Sequence, residues 1–114
     1  MPENPYSIEV VTNKKILKLL KNNIVQKHYD IAVGKPSTPT PKGSWKIIKK
    51  ALWGRQFGGY FMQLSVPYGI YGIHGTNKPW SIGKAVSNGC VRMYSSEAKE
   101  LYSLIPIETP ILIY

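Results

Sequence analysis

The sequence predicts a mainly β fold carrying one clear α-helix. Three observations lead there. Apolar and polar residues alternate at a period of two through most of the chain, as in Tyr6-Ser7-Ile8-Glu9-Val10. Eight Tyr, nine Pro and ten Gly in 114 residues suit a turn-rich β protein. One stretch near the end has helical spacing instead, with Ala98, Leu101, Tyr102 and Ile105 at i, i+3, i+4 and i+7.

Taken in order, Tyr6 to Val11 alternates as a strand, Thr12-Asn13-Lys14 supplies turn chemistry, and Lys15 to Leu20 returns to complete a hairpin. Lys21-Asn22-Asn23 turns again into a third strand, Ile24 to Val33, rich in β-branched and aromatic residues. Gly34 to Gly43 holds three prolines between Ser and Thr residues and is expected as a rigid loop within one domain, not a linker between two. Ser44 to Lys50 is a further strand. Ala51 to Gly59 reads as a loop, with Trp53 either folded onto the core or, with Arg55, lining a cleft. Tyr60 to Val66 and Gly69 to His74 are strands joined at Pro67-Tyr68, which places His74 at a strand end. Thr76 to Val86 is expected as irregular, with a short helical turn over Ser81 to Lys84. The helix runs from Ser95 or Ser96 to Ile105, Pro106 ends it, and Thr109 to Tyr114 closes as an apolar strand.

The length suits a single domain over residues 1–114 with a self-sufficient core. Fifteen Lys and Arg against six Asp and Glu leave a net charge of +9. The first 57 residues carry eleven basic and three acidic residues, the rest four and three. Such a half is either a solvated face or a surface for an anionic partner. The single cysteine excludes an internal disulfide, and one Cys with two His and no carboxylate cluster does not assemble a zinc site. No secretory signal and no window of membrane-spanning length is expected, so an extracellular substrate implies a mature or excised domain or an export route that the sequence does not display.

The reactive residues fall between Ile73 and Met93. Gly72 and Gly75 flank His74, and Gly89 precedes Cys90. A thiol attacks as thiolate, and a neighbouring imidazole is the common way to generate one. Glycine beside each reactive group lets backbone N–H groups approach an oxyanion. A Cys/His acyl-transfer site follows, although an isolated cysteine is as a rule a buried inert thiol. His28 lies in an ordinary strand and is read as structural. Asp30, the only aspartate, lies in another such pattern with no nucleophilic serine marked, so a Ser-His-Asp site has little support.

His74-Gly75-Thr76, a spacer, and Ser87-Asn88-Gly89-Cys90-Val91-Arg92 together resemble the signature of the L,D-transpeptidase catalytic domain, the YkuD-like family that cross-links bacterial peptidoglycan. The resemblance reaches upstream through Ala32 to Gly43 and covers nearly the whole chain. It implies a curved mixed β-sandwich with the helix packed on it, no cofactor, and peptidoglycan stem peptides as partners at the cell wall. It also implies that Cys90 attacks the diaminopimelate carbonyl of a donor tetrapeptide, D-alanine leaves, and the thioester passes to an acceptor-stem amine as a 3→3 cross-link. His74 would be the general base, and the Gly75 carbonyl would orient it. The N–H groups of Asn88, Gly89 and Cys90 would form the oxyanion hole. Arg92 would pair with a substrate carboxylate or form a structural ion pair, and Ser87 and Tyr60 would line the cleft. Many relatives carry histidine where this chain has Asn88. An L,D-carboxypeptidase using water as acceptor, or a basic module binding an anionic wall polymer or nucleic acid, are the other functions to weigh. The expected state is a monomer that binds no nucleic acid.

Overall fold

The computed structural model describes residues 4–52, 54 and 59–114, so Trp53 and Arg55 of the expected cleft loop lie outside the described residues. Nine strands form one mixed sheet: β1 (Tyr6–Val11), β2 (Ile16–Lys21), β3 (Ile24–Gly34), β4 (Gly43–Leu52), β5 (Tyr60–Leu64), β6 (Gly72–Thr76), β7 (Ala85–Ser87), β8 (Val91–Tyr94) and β9 (Pro110–Ile113). Their order is β2-β1-β9-β4-β5-β6-β8-β3-β7. A further β2–β3 pairing turns the sheet back on itself into a barrel-like ring. The long β3 makes this closure, since Ile24 to Asp30 pair with β2 while Ile31 and Ala32 pair with β8.

Local chemistry explains the hairpins. Asn22 and Asn23 both have positive φ, 52° and 64°, between partners Lys21 and Ile24. That is the backbone of a type I′ two-residue turn, which asparagine tolerates best after glycine. Inside the ring the alternating residues Ile8, Val10, Leu17, Leu19, Tyr29 and Ile31 are buried with Ile73, Val91 and Met93. Each fully buried side chain of this size contributes about 1.5–3 kcal/mol against exposure.

The helix α1 (Ser95–Leu104) packs against β5, β6 and β8 through Ala98 and Leu101, both fully buried, and Ile105 follows as its buried C-cap. The Lys50 Nζ donates to the carbonyls of Tyr102 and Ile105 at 2.6 and 2.9 Å. A cation there satisfies orphan carbonyls and meets the negative end of the helix dipole.

Four expectations change. β5 stops at Leu64, two residues short of Val66. β6 begins at Gly72, so His74 stands at the strand centre and not at its end. The short helical turn covers Pro79–Ser81, a 3₁₀ turn with proline at its start, and not Ser81 to Lys84. β7 and β8 arise where irregular chain was expected, because four residues or fewer show too little alternation to reveal a strand.

Candidate active site

Register places the reactive side chains. β6 and β8 run parallel with Ile73 opposite Val91, His74 opposite Arg92 and Thr76 opposite Tyr94. Side chains alternate across a strand, so Ile73 and Val91 enter the core while His74 and Arg92 emerge together on the other face. Cys90 lies two residues before Arg92, on that same face and level with Gly72. Adjacent strands are about 4.8 Å apart, so Cys90 lies beside the Gly72 backbone. His74, Cys90 and Arg92 line one cavity of about 300 Å³, together with Thr76, Lys78 and Asn88.

His74 is held from two sides. Its Nδ1 lies 2.5 Å from the Gly75 carbonyl oxygen. A carbonyl only accepts, so Nδ1 carries the proton and Nε2 is the basic nitrogen. The Phe61 ring, 1% exposed and opposite His74 in the β5–β6 ladder, lies 6.3 Å from the imidazole at 33°. Burial pushes the His74 pKa below its ordinary value, the Gly75 carbonyl opposes that shift, and Arg92 adds to it.

Cys90 is half-buried, and burial pushes its thiol pKa up. A backbone hydrogen bond from Gly72 and the Arg92 charge work the other way. The ladder explains the Gly72 donor. Leu64 N–H bonds the Tyr71 carbonyl, so the alternation turns the Gly72 N–H away from β5 and toward the cysteine. A Cβ at Gly72 would lie 2.4 Å from the Phe61 ring and 2.6 Å from the Met62 carbonyl oxygen. Burial thus disfavours the charged form of each group, the thiolate and the imidazolium.

In the segment before the cysteine, Ser87 lines the cavity, while the Gly89 N–H, expected as an oxyanion donor, is committed within the turn. Ser87 is 2% exposed, and its Oγ donates to the Cys90 carbonyl at 2.6 Å while accepting from the Gly89 N–H at 3.1 Å. Its hydroxyl is used internally, so Ser87 braces the turn while lining the cavity. The Gly89 N–H is likewise engaged, which removes it from the three expected oxyanion donors. The N–H groups of Asn88 and Cys90 have no partner among the described residues. Gly89 has φ +121°, and the Tyr71 ring would lie 2.5 Å from any Cβ there. Only glycine permits both the conformation and the approach.

Arg92 makes no ion pair among the described residues, and it lines the cavity. Tyr60, expected in the cleft, is not among the residues lining the cavity. It faces away from its neighbour Phe61, its ring packing against Tyr102 of α1 at 5.2 Å and 65°. Strand alternation sends Phe61, not Tyr60, to the imidazole. Phe61 and Tyr71 were the residues missed, and Gly72 was marked only as a flank of His74. The one signal for Phe61 was its odd position beside Tyr60 in an alternating strand. His28 lies apart, at a concavity shared with Lys14, Lys18 and Tyr114. No three His, Cys, Asp or Glu among the described residues cluster closely enough to hold a metal ion.

Comparison with known proteins bears on this site. The profile of the YkuD family, the L,D-transpeptidase catalytic domain, matches residues 5–113. YkuD of Bacillus subtilis, a protein named for the same family, is 49% identical over 96% of this chain, which spans 66% of that protein's length. Among solved structures, an L,D-transpeptidase from Mycobacterium smegmatis superposes with a TM-score of 0.83 at 17% identity, over 97% of this chain and 59% of the other. An Enterococcus faecium L,D-transpeptidase, solved as a cysteine-to-serine mutant, gives 0.76 at 27% identity, over 98% of this chain and 50% of the other.

Proposed function

The chain belongs to the L,D-transpeptidase catalytic-domain family, and from that premise we propose that residues 1–114 are one catalytic domain that transfers a peptidoglycan stem peptide through a thioester on Cys90. The observation that carries this is the placement of His74 and Cys90 on one face of β6 and the chain entering β8, around one cavity, with the imidazole tautomer set by Gly75. The family acts at the cell wall. No helix among the described residues is long and apolar enough to cross a membrane.

In the first step the Cys90 Sγ–H gives its proton to His74 Nε2 as sulfur bonds the diaminopimelate carbonyl carbon of the donor tetrapeptide. The N–H groups of Asn88 and Cys90 receive the resulting oxyanion. Collapse breaks the C–N bond to D-alanine, whose nitrogen takes the proton from the imidazolium, leaving the thioester. An acceptor-stem amine then attacks, its proton passes to His74, and sulfur leaves to be reprotonated as the 3→3 bond forms. His74 works as the general base during attack. Arg92 faces the cavity as the partner for a substrate carboxylate. The same thioester hydrolyses when water replaces the amine, which would give carboxypeptidase activity.

The test is mass spectrometry of the protein incubated with a disaccharide-tetrapeptide. D-alanine release with a cross-linked dimer is the expected product, and Cys90→Ala should abolish both while remaining folded. Undiminished release by the variant would refute the thioester. Release with monomeric tripeptide alone would assign the carboxypeptidase reaction.

A further inference from the structure

A second concavity adjoins the catalytic one, and Asn88 lines both. It measures about 610 Å³ and lies between the Pro-rich loop and the Val66 to Gly72 connection. One wall is aromatic. Tyr68 is 66% exposed, and its ring meets Tyr71 at 6.0 Å and 70° and Trp45 at 6.3 Å and 80°. These edge-to-face contacts brace a large apolar surface that is otherwise bare to solvent. The rest of the lining mixes Pro39 and Pro41 with polar residues. The side chains of Ser37, Lys42 and Asn88 reach it, all exposed, and none has a hydrogen-bond partner among the described residues.

The walls are fixed relative to the nucleophile. Thr38 Oγ1 donates to the Ser87 carbonyl at 2.8 Å, and Lys35 N–H donates to the same oxygen at 3.0 Å. The Thr40 hydroxyl accepts from Gly34 N–H within the loop. Tyr71 lies against Gly89 on the aromatic side. A ligand here would therefore sit at a set distance from Cys90.

The chemistry of the lining selects the ligand. An apolar chain would strand the hydroxyl, amide and ammonium groups without partners. A polyanion would find a single cation, Lys42. A pyranose ring fits this lining, since its C–H face covers an aromatic ring while its hydroxyl and acetamido groups take and give hydrogen bonds at the rim. We propose that this concavity is a saccharide subsite, with Tyr68 as its platform, that holds a sugar covalently joined to the peptide reacting at Cys90. The inference rests on the peptidoglycan reading above and extends it from the stem peptide to the glycan that carries it.

The test compares kcat/KM for a disaccharide-linked tetrapeptide with that for the same tetrapeptide freed of its sugars. The wild type should prefer the sugar-bearing substrate. Tyr68→Ala should reduce the ratio about five- to tenfold, the worth of one well-placed aromatic contact, and Tyr68→Phe should keep it. A wild type indifferent to the sugars, or a ratio unmoved by Tyr68→Ala, overturns the proposal, and an equal loss on both substrates would give the concavity to the peptide instead. A direct titration with the peptide-free N-acetylated disaccharide, followed by the aromatic NMR signals of Tyr68, separates this from the parent reading. Perturbation of those signals in a folded protein that turns over neither substrate would keep the saccharide site while removing the transpeptidase. Unmoved signals up to millimolar sugar would remove the saccharide site even where turnover is found.

Discussion

Replacing Ser87 by Ala distinguishes a brace from a substrate contact. The change removes a hydroxyl that is 2% exposed and holds two backbone groups, the Cys90 carbonyl at 2.6 Å and the Gly89 N–H at 3.1 Å. Gly89 is buried, so its N–H loses its partner where water reaches it poorly, at a cost of about 1–3 kcal/mol. The loss of the carbonyl bond adds about 0.5–1.5 kcal/mol. A total of roughly 1.5–4.5 kcal/mol would lower Tm by about 6–19 °C in a chain of 114 residues. The freed Cys90 carbonyl and Gly89 N–H also loosen the turn that aims the nucleophile. The assay is thermal unfolding beside steady-state kinetics of D-alanine release. We expect Tm and kcat to fall together with KM little changed. A normal Tm with a raised KM would refute the reasoning, because that is the signature of a hydroxyl that binds substrate.

Three further outcomes follow from the same geometry. Asn88→Ala should keep activity within about threefold, because the proposed donor is backbone, whereas Asn88→Pro removes the N–H and should cost about 10²–10³ in kcat; equal losses in a single-turnover assay would exclude an oxyanion role. Arg92→Gln removes a charge that lowers both the Cys90 and His74 pKa values, so the pH at which iodoacetamide alkylation of the thiol accelerates should rise, and an unshifted profile would show that the guanidinium does not act on the sulfur. Stability should depend on pH at both ends. His74 is held below its ordinary 6.5, so its contribution is complete above pH 6.5 and is lost as pH falls through the lower folded value. Cys90 is held above its ordinary 9.0, so its contribution is complete below pH 9.0 and is lost as pH rises through the higher folded value. Tm measured against pH should lose its alkaline decline from this source in Cys90→Ala and its acid decline in His74→Ala, and unchanged limbs in both variants would contradict the burial argument.

Much of this was legible in the sequence because the information is local. The Asn22-Asn23 turn, the spacing of Ala98, Leu101 and Ile105, and the glycines around His74 and Cys90 each constrain their own neighbourhood. What was not legible depends on neighbours distant in sequence. Tyr60 and Phe61 are both aromatic, and only the pairing of Phe61 with His74 decides which one reaches the imidazole. Ser87 has the composition of a cleft residue, but its hydroxyl is committed by a turn whose closure requires Gly89 at positive φ. β8 shows only two periods of alternation and takes its strand form from β6 on one side and β3 on the other. Gly72 was noticed as a flank of His74, while its closer relation is to Cys90, eighteen residues on.

The position of β9 bears on how the chain is made. It lies between β1 and β4, parallel to the first and antiparallel to the second. Strands formed from the beginning and middle of the domain are thus joined by residues that leave the ribosome after the other eight strands. Until Pro110–Ile113 has emerged, Ile8 and Val10 of β1 and Ile47 of β4 have no strand to bridge them, and the loop to be closed is about the length of the domain. Synthesis therefore delivers a chain whose hairpins can form early but whose ring cannot. A nascent chain stalled before residue 110 should remain open to proteolysis, and one extended past residue 113 by a tether long enough to clear the exit tunnel should become resistant in a single step.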